Sequence, residues 1–255
     1  MNAIAGFADI SLLQLVLVAG VALFASIVGG LAGYGTGALM PLVLVPLVGA
    51  EPVVPIIAIS AILTNLSRTV AYFRYADRRR ALIVIAAAAL TTALGAYGYT
   101  RLTNSGAALV IGAMLMASVP LRRLARRHDL KIGDTGLGVG AVGYGVIVGG
   151  TSGAGVILLS LLMAAGLEGA AVIATDALVS IVTSLIKISV FGLAGVVTAQ
   201  ILAFALLIGG IALPGTFFAR AFVERMPVHI HAAILDVAVT AGGVVMISAA
   251  LRGLS

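Results

Sequence analysis

Long apolar runs, interrupted twice by clusters of glycine, decide what this chain can fold into. Runs such as residues 53–75 and 170–191 are long enough, at 1.5 Å per residue, to cross a hydrocarbon layer roughly 30 Å thick. They are continuous rather than alternating, so they read as helices and not as barrel strands. The glycine clusters are GGLAGYGTGALMP, from Gly29 to Pro41, and GGTSGAGVILLS, from Gly149 onward. Glycine costs roughly 1 kcal/mol relative to alanine within a helix, so each cluster predicts a break. Opened backbone is tolerated at membrane depth only where protein buries it or a wet cavity touches it. Paired breaks at corresponding places in two halves are the sequence pattern of a transporter's binding site.

Composition agrees with a membrane setting. At 62% hydrophobic and 9% charged residues, the chain is too apolar for a soluble domain. A formal charge of +6 would suit a polyanion. Most of the excess, however, sits in ADRRR and LRRLARRHDLK, two short loops beside apolar runs. Retention of positive loops in the cytoplasm explains that placement, so lipid is the expected partner and nucleic acid is not. There is no cysteine, which excludes disulfide and thiol chemistry. No cofactor is implied and no metal site is expected, because His229 and His231 lack further ligands. The opening MNAIAGFADI has no basic region or small-residue cleavage site, so the first helix is expected to direct insertion itself.

Ten apolar segments are predicted, over 10–30, 37–48, 53–75, 81–100, 106–121, 134–148, 155–165, 170–191, 197–219 and 231–251. Eight are long. The second and seventh are short, covering only about 18 Å at helical rise, and read as half-helices. The arginine-rich loops place residues 74–80 and 122–131 inside. The halves match at an offset of about 116 to 119 residues: Gly49 and Glu51 answer Gly166 and Glu168, Ser60 answers Asp176, and Arg101 answers Arg220. This duplication predicts one repeat over residues 1–131 and a second over 132–255. Five crossings per half make the repeats inverted, whereas counting the first broken pair as one crossing would make them parallel. Residues 10–50 are long enough for two crossings, which favours inversion.

Polar stripes run along the third and eighth segments. Asp176, Ser180, Thr183, Ser184 and Lys187 share one helical face, and Ser60, Thr64, Ser67 and Arg68 repeat the spacing with Asn65 beside them. In lipid such faces turn toward protein or water. Arg68 and Lys187 are cations within apolar segments, where a charge costs a few kcal/mol and marks a pathway unless it snorkels to the interface. Helix starts at Gly37 and Gly155 would add partial positive charge. Asp176 and Asp236 are the acids inside apolar segments. Asp236 lies at about the depth of Arg68, which makes an ion pair between them the economical reading. The sharper reading makes either acid a proton carrier.

With GYGTGALMPL and GTSGAGVILL, the AIS and ATD positions after them and the basic loop between the halves, the chain resembles the TauE/SafE family of sulfite and sulfonate exporters over nearly its whole length. The resemblance implies a multi-pass carrier of the bacterial inner membrane that moves a small sulfur-containing anion such as sulfite, thiosulfate or sulfoacetate. By resemblance, Gly33, Gly35, Gly37 and Pro41 match the first glycine motif, and Gly150, Gly153 and Gly155 the second. Leu159 and Ser160 stand where a proline is common in the second, and Asp176 where a small hydroxyl residue is common.

The expected protein is therefore an all-α polytopic carrier working by alternating access, in the export direction, at a midplane site. Its expected substrate shell is Gly33, Gly35, Thr36, Gly37, Ser60, Thr64, Asn65, Arg68, Gly150, Thr151, Ser152, Gly153, Gly155, Asp176, Ser180 and Lys187. Proton coupling would fall to Asp176 or Asp236, and a homodimer is the one protein assembly allowed for. A passive anion channel from the same parts is the second reading. A third is a rhomboid-like intramembrane serine hydrolase, since residues 150–153 spell GTSG and His231 could be offered as base.

Overall fold

The computed structural model describes residue 7 and residues 10–32, 35–127, 131–222 and 228–252. Side chains at 30–32, 122–127, 216–222 and 228–239 lie outside the description. Among the described residues there are ten α-helices and no strand. They are α1 (Leu12–Ala32), α2 (Thr36–Val48), α3 (Val53–Tyr72), α4 (Arg78–Tyr99), α5 (Asn104–Arg127), α6 (Asp134–Gly150), α7 (Gly155–Ala164), α8 (Ala170–Leu193), α9 (Ala199–Phe222) and α10 (Val228–Arg252). The eight long and two short helices are those predicted, and the protein is a polytopic helical membrane protein.

Boundaries differ where polar residues extend a helix past its apolar run. α4 begins at Arg78 rather than Ala81 because Asp77 caps it, its carboxylate accepting the Arg80 N–H at 2.9 Å. That bond and the Arg80 guanidinium hold the Asp77 carboxyl below the usual carboxylate range. α5 continues to Arg127 rather than Leu121, since arginine is a good helix former wherever water can reach it.

The packing pairs exchange when α1–α5 are swapped for α6–α10. α4 packs on α6 as α1 packs on α9, α3 on α9 as α8 on α4, while α3 with α8 and α5 with α10 map onto themselves. Glycine lets the α4–α6 backbones meet: a Cβ at Gly149 would lie 2.2 Å from the Thr92 carbonyl oxygen, and one at Gly95 2.2 Å from that of Val146. These are the close crossings that small residues permit within a bilayer.

α4 also serves as a ruler for direction. Its start meets the second half, where the Asp77 N–H donates to Thr175 at 3.0 Å and Gly166 approaches Arg80. Its end meets the turn after α2, where the Tyr99 hydroxyl donates to the Ala50 carbonyl at 2.6 Å, and the end of α8, where its ring contacts Phe191. α7 therefore runs to the basic end of the molecule and α2 to the opposite end. α3 and α8, at the centre, are antiparallel. Both short helices begin between the two ends, so their first turns lie deep in the molecule.

Candidate functional site

Where those first turns meet, the two glycine breaks touch. The Ser152 hydroxyl donates to the Gly37 carbonyl at 2.6 Å, and a Cβ on Gly37 would lie 3.2 Å from the Gly153 nitrogen. Gly153 has φ +86°, a left-handed conformation that favours glycine. Gly35 allows a different approach: a Cβ there would lie 2.2 Å from the Ala25 carbonyl oxygen of α1. Neither short helix has a side-chain cap at its start, so leading N–H groups remain for a ligand or water.

Beside the breaks lies a cavity of about 110 Å³, room for several waters or one small oxyanion. It is lined by both breaks and by the facing stripes of α3 and α8. Of the expected shell, Gly35, Thr36, Gly37, Thr64, Asn65, Arg68, Thr151, Ser152, Gly153, Gly155, Asp176, Ser180 and Lys187 all border it. Ser60 and Gly150 do not. Ser60 is fully buried and its hydroxyl bonds back to the Ile57 carbonyl at 3.1 Å. Gly150 ends α6 facing α4, with the Gly95 carbonyl oxygen 3.3 Å from where its Cβ would be. Its glycine serves the helix crossing rather than the break. Gly33 lies outside the described residues.

Charge is distributed unevenly along the cavity. Toward the basic end, Arg68 Nη1 lies 3.4 Å from Asp176 Oδ2, and Arg68 also donates to the Asn65 side-chain oxygen. Asp176 is thus a partner of Arg68, and the expected pairing of Arg68 with Asp236 falls on a side chain outside the described residues. Toward the opposite end, Lys187 is 5% exposed, and its ammonium makes a 3.5 Å contact with the Thr151 carbonyl oxygen. Among the described residues no carboxylate lies within 4 Å of it.

The model of the sulfite exporter TauE/SafE family matches residues 18–246. The chain belongs to the TauE/SafE family. No curated protein and no solved structure matches it. As a TauE/SafE protein it is a multi-pass membrane transporter of a small anion. Two polar cavity residues, Tyr144 and Ser26, escaped the sequence reading of this TauE/SafE chain. Tyr144, 1% exposed on α6, turns its phenol toward Ser180 and Thr183. Ser26 of α1 donates to the Ala212 carbonyl of α9 at 2.5 Å. A lone tyrosine hydroxyl in an otherwise glycine-rich and aliphatic helix was the available signal, because a buried phenol seeks a partner. The GTSG serine donates its hydroxyl hydrogen bond to the Gly37 carbonyl, and the side chain of His231 lies outside the described residues.

Proposed function

We propose that the cavity carries a small sulfur-containing anion, sulfite, thiosulfate or an organosulfonate such as sulfoacetate, outward across a bacterial inner membrane. The single observation behind this reading is the buried Lys187 ammonium, which among the described residues has only a long contact to one carbonyl and shares its cavity with two uncapped helix starts. An anion about 4 Å from such a charge gains about 4 kcal/mol at an effective dielectric near 20, before its own desolvation is subtracted. Helix starts add to the same field. Thr151, Ser152 and Ser180 can complete the anion's shell with hydroxyl donors.

Alternating access fits the arrangement. Residues 1–131 and 132–255 would form inverted repeats, a reading supported by the exchange of packing pairs and by the opposite directions of α2 and α7. Rocking one repeat against the other would open the cavity to each side in turn. The test is equilibrium binding of sulfite to purified protein and to Lys187→Met. At least a tenfold loss of affinity is expected in the variant; unchanged affinity would remove Lys187 from the site. Unitary currents in planar bilayers would replace the carrier with a channel.

A further inference from the structure

Asp176 is an odd neighbour for an anion. It is 1% exposed, borders the cavity, and uses Oδ2 on Arg68, yet among the described residues its buried Oδ1 has no donor at all. Tyr144 and Ser180 border the same end of the cavity and make no hydrogen bond to it. An ionised carboxylate oxygen accepts only. Left unpaired it is a standing cost, and a ligand in the cavity that brings a donor removes that cost.

Resting on the anion site proposed above, we propose that the transported anion carries a hydrogen-bond donor, a hydroxyl or a protonated oxygen, and that Asp176 Oδ1 reads it. The guanidinium of Arg68, held against Oδ2, supplies positive charge beside the vacant acceptor. That juxtaposition of a cation and an unfilled acceptor suits a monoanion whose charged oxygens and donor lie on neighbouring atoms. A hydrogen oxyanion or a short hydroxysulfonate has this form. A fully deprotonated dianion, or an alkylsulfonate without a donor, would leave Oδ1 unpaired and bring negative charge against it. Sites built to pair a substrate hydroxyl reject the analogue that lacks it far more strongly than apolar pockets reject a lost methyl.

The experiment compares hydroxymethanesulfonate with ethanesulfonate, which place a hydroxyl and a methyl of nearly equal size at the same position. Each is titrated against purified protein. The wild-type protein is expected to prefer the hydroxyl compound by about tenfold or more, the scale of a hydrogen bond to a charged group. In Asp176→Asn the preference should fall to about threefold or less, since a neutral amide oxygen is the weaker acceptor. The ratio of the two affinities is used because loss of the carboxylate charge raises both. Equal affinities in the wild-type protein, or an undiminished preference in the variant, overturn the inference and leave the anion site standing. If neither compound binds and sulfite does not bind either, both readings fall. The wild-type comparison decides the matter even where the variant does not fold.

Discussion

The two ends of the cavity differ although the helix pairs around them exchange when α1–α5 are swapped for α6–α10. At the basic end a cation on α3 faces a carboxylate on α8, 3.4 Å away. At the other end a cation on α8 faces no described carboxylate, because the position that answers Asp176 in the first half is Ser60, which turns back onto its own helix. An exchangeable set of helix pairings thus carries a one-sided charge pattern. The helix pairings are interchangeable, while single side chains decide what each end attracts. The paired end is internally compensated and holds α3 against α8. The unpaired end keeps its charge for whatever enters.

The strongest way to break that contrast is to remove the carboxylate. Asp176→Ala leaves Arg68, 12% exposed at its side chain, without the Asp176 charge. Removing one member of a buried pair costs about 3–5 kcal/mol. A large drop in the thermal unfolding midpoint is expected, with most of it regained in the double variant Arg68→Met/Asp176→Ala. A drop that persists undiminished in the double variant would mean that Asp176 contributes through packing rather than charge.

Lys187→Met should move stability the other way. Methionine keeps most of the side-chain volume, and removing a buried charge that has no counterion among the described residues relieves its desolvation, by about 2–3 kcal/mol. The ligand-free variant is expected to unfold at or above the wild-type temperature while binding sulfite more weakly. A destabilised variant would show that the Thr151 carbonyl contact, long as it is, satisfies the ammonium and that the two ends are alike.

Much of this was legible in the sequence, for reasons that also explain the misses. Helix number and the two half-helices follow from run length against membrane thickness, and the stripes of α3 and α8 follow from helical spacing. Both depend on one helix at a time. The Arg68–Asp176 pair depends on the register of two helices more than a hundred residues apart, which no local pattern carries. Gly150 was assigned to the break because it sits in the same cluster as Gly153. Sequence cannot separate a glycine that opens a helix from one that lets a neighbouring backbone approach, and only the contacts with Gly95 do so.

The smallest expected effect concerns the breaks themselves, which are as unequal as the two ends. Within α2 the residue four positions after Gly37 is Pro41, which has no N–H to return to the Gly37 carbonyl. Ser152, from the other half, supplies that donor at 2.6 Å. In α7 the matching position after Gly155 is Leu159, whose own N–H can close the helical bond. The first break therefore leans on the second, and the second does not need the same help. Ser152→Ala should cost about 1 kcal/mol by stranding the carbonyl. In a Pro41→Ala background the helix regains its own donor, so the same substitution should cost clearly less there. A double-mutant cycle on thermal unfolding measures the difference. Equal costs in both backgrounds would mean that Ser152 supports the break by something other than the bond that proline leaves open.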